Sequence, residues 1–486
     1  MKHTRKLSAL LLASLLIGLL ASCGSEASVG SDTTTAAETT PEVTTDAYLD
    51  ELPRDLDFGG ETFTFFVRSD PPSTEYNVEE QTGEIVDDAI FNRDQTVMER
   101  LNVKFAYHGI PGNYSDRLTF AQQLTSSVMA GDGAYDVVAG YSMSLANLAS
   151  AGMLYNLMDV DYIDLTNPWW SENILTQSMV NNKVFFASGD IATSLLYMMY
   201  TTFYNKEMVD EFKLENPAHI ALDGKWTLDK MIAMTKNVGK DINADGVKDM
   251  NDRFGMVISD VYIDPFYFGA GLSTTVQDEN GMMVLSPDFG SEKVVSLIEK
   301  LCTALHDSPD NWQSPEKEGN SFHLGNTLFY NHSFNYAANH LRDVKFDYGI
   351  LPICKWDENQ EDYYTIASFP YSLYGIPLDA KDPDRAAAVL EALASESYKN
   401  VTPAVFEITM KVKYSRDEES SQVYDIIRGS MVYDFGRIFN NDLGAKTYSL
   451  FRSSVQQNNR SWMSTYDSNK AALEAGLAAL MEKFAD

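Results

Sequence analysis

The sequence has 486 residues, with 44% hydrophobic and 22% charged side chains, and a formal net charge of −33 from 37 basic against 70 acidic residues. That charge repels polyphosphate backbones and anionic lipid headgroups, which excludes nucleic acid and a bare membrane surface as partners and favours a soluble monomer. Three cysteines are too few for a disulfide framework and have no CxxC or Cys/His metal spacing, although Cys302 and Cys354 could pair in an oxidising compartment.

In chain order, Lys2, Arg5 and Lys6 precede an uncharged stretch from Leu7 to Leu20, the charged and apolar regions of a secretory signal. The stretch is too short to span a bilayer, which takes about 20 residues. Leu20-Ala21-Ser22-Cys23 places small residues directly before a cysteine, as in a bacterial lipobox, so residues 1–23 are expected to be a lipoprotein signal with lipid on Cys23. Residues 24–50 hold seven Thr and almost no large apolar group before Tyr48, and read as a disordered tether. The rest of the chain exceeds the size at which a single core stops growing, about 250–300 residues, so two lobes are expected.

Thr62 to Val67 reads as a buried strand opening into the loop Arg68-Ser69-Asp70-Pro71-Pro72. Val86, Ala89, Ile90, Val97, Met98 and Leu101 fall on one helical face, and Val103 to Tyr107 is the next strand. A helix from Ser115 to Met129, a strand from Tyr135 to Ala139 and a helix from near Ser142 complete an alternation that implies a parallel α/β sheet. Ligands of such sheets sit beyond the carboxyl ends of the strands, which puts the loops at 68–76 and 140–144 on the functional edge. The apolar segment from Lys183 to Tyr204 reads as an extended crossing into a second lobe. Its strands lie near Phe254 to Ile258, Thr327 to Tyr330 and Asp347 to Leu351, and Tyr364 to Ile376 returns to the first lobe. Leu473, Leu477, Leu480, Met481 and Phe484 form the apolar stripe of a packed terminal helix.

Enzyme signatures are missing: there is no GxSxG, HExxH, P-loop or strand-linked GxGxxG, and the two Asp-Phe-Gly triplets at 288 and 434 lack every companion element of a kinase. The twelve residues from Asp241 to Asp252, by contrast, fit a calcium loop. Asp241, Asn243 and Asp245 alternate, Gly246 allows a sharp turn, Val247 offers its carbonyl, Asp249 adds a carboxylate and Asp252 closes the twelfth place, where a bidentate Glu is usual. A structural Ca2+ is expected here, clipping a helix that starts at Thr227 to the strand at Phe254. Aromatic residues on the expected loops, Tyr76, Tyr141, Tyr262, Phe266, Tyr267, Tyr330 and Phe334, suit stacking on sugar rings.

Several segments resemble the family 1 extracellular solute-binding proteins of ABC importers, the maltose-binding-protein-like group. They are Tyr135-Asp136-Val137-Val138 with Leu145, Leu148, Gly152, Leu154 and Leu157; Asn182-Lys183-Val184-Phe185-Phe186; Tyr204-Asn205-Lys206-Glu207-Met208; Lys225-Trp226-Thr227-Leu228; and Tyr348-Gly349-Ile350-Leu351-Pro352. The resemblance implies an α/β, two-lobed periplasmic-binding-protein-like fold (type II) with a hinge and an interlobe cleft. Residues 51–190 and 366–410 would form one lobe, and 191–365 and 411–486 the other. Together with the lipobox and the missing enzyme motifs, it implies a lipid-anchored protein on the outer face of the bacterial cell membrane, not an enzyme, that captures a carbohydrate, an oligosaccharide, for an ABC importer permease. Loop position and family layout together point to Arg68, Asp70, Tyr76, Tyr141, Asp190, Tyr262, Asp264, Tyr267 and Tyr330 as ligand contacts. A binding protein for a peptide or another small polar solute is the alternative within the class, and a secreted carbohydrate-active enzyme the alternative outside it.

Overall fold

The computed structural model describes residues 48–314, 322–411 and 418–484, so the expected lipoprotein signal, Cys23 and most of the expected tether lie outside the described residues. Tyr48 to Asp50, assigned above to the tether, belong to the folded body instead. Asp50 is 1% exposed and accepts hydrogen bonds from Arg100 at 2.5 and 2.6 Å, while the same guanidinium lies 4.0 Å from the Tyr48 ring. A Thr-rich composition carries no sign of a partner so distant in the chain.

The strands are β1 (Glu61–Arg68), β2 (Val103–Ile110), β3 (Val137–Tyr141), β4 (Tyr200–Asn205), β5 (Phe254–Ser259), β6 (Thr275–Gln277), β7 (Met283–Leu285), β8 (Asn311–Ser314), β9 (Thr327–Ser333), β10 (Tyr348–Leu351) and β11 (Ser372–Gly375). One sheet has the order β11-β3-β1-β2, with β1 parallel to both β2 and β3 and the late strand β11 antiparallel on the edge. The second has the order β10-β4-β9-β5-β8, mixing parallel β5 pairings with antiparallel β4 pairings. The expected α/β architecture therefore holds, and each sheet supports one lobe.

The chain crosses between the sheets from β3 to β4 and returns from β10 to β11, and these two crossings pair with each other. Ala187 and Tyr374 exchange backbone hydrogen bonds of 2.9 Å, and further on Ser368 N donates to Met198 O at 2.7 Å and Tyr200 N to Ile366 O at 3.0 Å. Trp170 bridges to Gly189 at the start of the first crossing, where a Cβ in place of hydrogen would collide with the Trp169 carbonyl. The first crossing is not extended throughout, because Thr193–Met198 forms a buried helical turn. A continuously apolar run has no period by which to tell a strand from a buried helix.

The helix Pro383–Glu396 packs against Ile85–Leu101 of the first lobe, whereas Glu418–Gly429, Tyr448–Gln456 and Trp462–Lys483 pack on elements of the second. Cys302 and Cys354 are buried free thiols, so the possible disulfide does not form.

Glu391, 2% exposed on the helix Pro383–Glu396, braces the segment that leads into the first crossing. Its carboxyl accepts from Trp170 Nε1 at 2.7 Å, Asn167 Nδ2 at 2.8 Å and Trp169 Nε1 at 3.2 Å, and burial pushes it up to about 7. A carboxyl raised in the folded state stabilises fully below its ordinary range, and that contribution is lost as pH rises through about 7. Wild-type protein should therefore lose stability relative to Glu391→Gln between pH 5 and pH 8, by on the order of 2 kcal/mol. Denaturant titrations at the two pH values check this, and parallel behaviour of the two proteins would contradict it.

Candidate functional site

The carboxyl end of β1 delivers Arg68, and that of β3 delivers Tyr141. From the second lobe, the turn after β5 delivers Asp264 and the helix Tyr448–Gln456 delivers Tyr448 and Arg452 one turn apart. Arg437, in the short helix Phe435–Ile438, completes the group. The crossing segment Phe369-Pro370-Tyr371 runs among them: Arg68 Nη2 donates to Pro370 O at 2.6 Å, the Arg437 guanidinium sits 3.8 Å over the Phe369 ring, and Tyr448 packs on Phe369 at 5.2 Å. These groups thus gather where strand ends of the two lobes approach the crossing segment, the position at which α/β sheets place ligands.

Its electrostatics are uneven. Arg452 is fully matched, donating to both oxygens of Asp264 and lying 3.7 Å from Asp260. Burial works to discharge this guanidinium, but the carboxylate of Asp264 holds it above its ordinary range. Arg68 is fully buried and Arg437 is 4% exposed, yet neither forms an ion pair among the described residues. Nε and Nη1 of Arg68, and Nε and Nη2 of Arg437, are buried without hydrogen-bond partners. Burial pushes the Tyr141 phenol well up and Tyr448 adds to the rise, while the positive charges of Arg68, Arg437 and Arg117 pull it down. The Arg68 guanidinium is 5.9 Å from the Tyr141 ring, and Tyr114, 60% exposed and capped by Arg117, lies 6.5 Å from Tyr141.

Of the residues singled out from the sequence, Arg68, Tyr141 and Asp264 come together here. Tyr76 supports them from behind, its hydroxyl donating to Arg68 O at 2.5 Å and its ring stacking on Tyr107. Asp70 has a different role: both its oxygens cap backbone N–H groups of Gly112 and Asn113 at 3.0 and 3.2 Å, fixing the neighbouring loop. Asp190 pairs with Arg428 at 2.8 Å and accepts from Thr402, lining a cavity of about 150 Å³ beside Trp169 and Trp170. Tyr262 bonds the His332 ring, which lies 4.1 Å away. Tyr267 and Tyr330 lie buried within the second lobe. Tyr267 is fully buried against Phe451 with its hydroxyl on Ser273 O, and Tyr330 is fully buried and stacked on Phe322. Each sits in an aromatic run where core and cleft positions look alike in sequence.

Glu75, Arg437, Tyr448 and Arg452 were missed. Glu75 is 1% exposed and joins the loop after β1 to both crossings, accepting from Ser194 N at 3.2 Å and Tyr374 Oη at 2.5 Å. The available signal for Arg437 was its place inside the apolar run Phe435-Gly-Arg-Ile-Phe439, an unusual setting for a cation in an acidic chain.

The loop 241–252 lies between the helix Leu228–Met234, capped by Thr227, and β5, as the calcium reading requires. Gly246 has φ +75°, and Asp241 accepts from Ala244 N at 2.6 Å and Gly246 N at 3.0 Å. Asp252, 3% exposed, accepts from Ile242 N and Asp249 N and so ties the loop's ends together. Asp245 accepts from Val247 N. The chain path and donor order suit a hard cation, but the carboxylates are turned to backbone N–H groups. Among the described residues no three His, Cys, Asp or Glu side chains gather closely enough to hold a metal.

No curated protein matches the chain in sequence. In fold it is similar to a maltose-binding periplasmic protein of Listeria monocytogenes solved with maltose, at 15% identity and TM-score 0.55 over 86% of this chain and 98% of that one. It is also similar to the galacto-N-biose/lacto-N-biose I-binding protein of a Bifidobacterium longum ABC transporter, at 13% identity and TM-score 0.56 over 87% and 98%. A Rhizobium etli sugar transporter in an open conformation gives 12% identity and TM-score 0.56 over 86% and 99%. At such identities these similarities establish the fold alone. The model of the family described as bacterial extracellular solute-binding protein matches residues 113–401, more than half of the sequence. With two α/β lobes, a paired hinge and a polar, aromatic site at facing strand ends, the chain belongs to the bacterial extracellular solute-binding proteins.

Proposed function

We propose that the protein captures an oligosaccharide between its lobes and hands it unchanged to the permease of an ABC importer. The observation that carries this reading is the group Arg68, Tyr141, Tyr448 and Arg437, contributed by both lobes around the hinge. Aromatic faces stack on the C–H faces of sugar rings while guanidinium groups donate to hydroxyls. A ligand touching both lobes binds the closed state better and shifts the population toward it. The sugar-binding proteins of similar fold support the substrate class.

A panel of oligosaccharides should contain members that raise the melting temperature and are recovered intact. Ligand at about 100-fold over Kd corresponds to about 2.7 kcal/mol of added stability. Tyr141→Ala and Tyr448→Ala should each weaken binding roughly tenfold or more while leaving the ligand-free melting curve cooperative. Appearance of cleaved product would replace this reading with an enzyme, and unchanged affinity in both variants would move the site elsewhere.

The lipobox and the extracellular family favour anchoring through Cys23. Two or more acyl chains make such anchoring stable. Cys23→Ala should shift the protein from the membrane fraction to the soluble one, and retention in the membrane would rule the anchor out.

A structural calcium ion is proposed in the loop 241–252, held by Asp241, Asn243, Asp245, Asp249, Asp252 and the Val247 carbonyl. Binding would exchange several of the carboxylate hydrogen bonds to backbone N–H for coordination, so an extracellular-grade affinity, about 10⁻⁴ to 10⁻³ M, is expected. Chelator should lower the melting temperature and calcium should restore it better than magnesium. A melting curve unmoved by either means that the loop is a self-capped acidic turn.

A further inference from the structure

Within one cleft, three buried or half-buried arginines are treated differently. Arg452 has a carboxylate on each side, Asp264 and Asp260. Among the described residues neither Arg68 nor Arg437 forms an ion pair, and Arg437 meets the Asp264 carboxylate only at longer range, although the chain carries 70 acidic residues from which a direct partner could be drawn. Two nitrogens on each of these guanidinium groups are buried without a hydrogen-bond partner among the described residues. A buried cation without a counter-charge is costly, and an unmade hydrogen bond adds to the cost. Both groups flank the same short crossing segment, one on Pro370 O and the other over Phe369, and both act on the Tyr141 phenol. The unmatched positive charge is therefore local, and it lies where the ligand's two faces would meet the two lobes.

Sugar hydroxyls could accept some of these N–H groups but would leave the charges uncompensated. An oxyanion satisfies both demands, because two of its oxygens, on a planar carboxylate or a tetrahedral sulfate ester alike, can accept two hydrogen bonds from one guanidinium fork. We propose that the saccharide taken up by this protein is acidic, and that Arg68 and Arg437 hold its oxyanion, a uronate carboxylate or a sulfate ester. This rests on the carbohydrate reading above and narrows it. Tyr141 and Tyr448 then carry the ring faces, while Arg452, already matched by Asp264 and Asp260, shapes the second-lobe wall and leaves Arg68 and Arg437 as the anion's partners.

Titration calorimetry of the folded protein tests this with two arms. One arm compares uronic-acid di- to tetrasaccharides with their carboxyl-reduced neutral counterparts, and the other compares sulfated disaccharides with their desulfated counterparts. In one arm the acidic member should bind roughly tenfold to hundredfold more tightly than its neutral counterpart, the range for a hydrogen bond to a charged group. The arm that responds identifies the oxyanion. The preference should collapse in Arg437→Gln and persist in part in Arg68→Lys, with melting curves confirming that each variant folds; the wild-type comparison decides the matter even if a variant does not. Equal binding of acidic and neutral members in both arms overturns the proposal and leaves the carbohydrate reading intact. Failure of every saccharide, of either charge, overturns both.

Discussion

Where the chain passes between the two sheets, its backbone N–H and C=O groups need partners beyond the sheet ladders. At one end Ala187 pairs with Tyr374 on the outer edge of β11, and at the other Ser368 N donates to Met198 O. Buried backbone groups are rarely left unpaired, so the two crossings are obliged to run side by side as a narrow ribbon. Such a ribbon can bend by small changes in a few dihedral angles without breaking either core, which is what hinge closure requires. Glu75 and Arg68 connect the first lobe's loop to this ribbon, and Arg437 and Tyr448 rest on it from the other side. Groups on the two walls are thus positioned by the same element that permits the lobes to move.

Alternation of strand and helix signals over Thr62 to Ser150 was enough to read the first sheet, because parallel strands buried on both faces appear as short apolar runs between amphipathic helices. The return of the chain near Tyr364 to Ile376 was readable for the same reason, and β11 falls inside it. What could not be read is the antiparallel placement of β11 against β3, with Leu373 opposite Gly140, since pairing partners so far apart in sequence leave no local trace. The start of the folded body was misplaced because Asp50 owes its burial to Arg100, a relation invisible in a Thr-rich segment. Position after a strand places Arg68 and Tyr141 beside the crossing segment, whereas the hydroxyl of Tyr267 is taken up by the nearby Ser273 carbonyl.

The largest gap concerned the C-terminal third, where the amphipathic stripe of the last helix explains packing and nothing more. That region folds back on the second lobe, yet it sends Arg437, Tyr448 and Arg452 into the cleft. Helical periodicity ranks such residues by the face they occupy, and a face buried against a hinge has the same period as a face buried in a core. The distinguishing mark is chemical: a cation set among aromatics, as Arg437 is among Phe268, Phe369 and Tyr448.

This arrangement has a consequence for how closure is driven. The protein as a whole is strongly negative, so any positive potential in the cleft must be short-ranged, since charges beyond a Debye length of about 8–10 Å are largely screened. Ligand would be drawn in by contact rather than by long-range steering. Arg437 reaches Phe369 of the crossing directly, and Arg68 bonds the next residue, Pro370, so a group that neutralises either arginine acts on the ribbon itself. Differential stabilisation of one hinge geometry needs no more than that, because a ligand shifts a two-state equilibrium by the difference between its contacts in the two states. On the proposed reading, a ligand held by Arg68 or Arg437 therefore bears directly on the paired crossings, through Pro370 and Phe369.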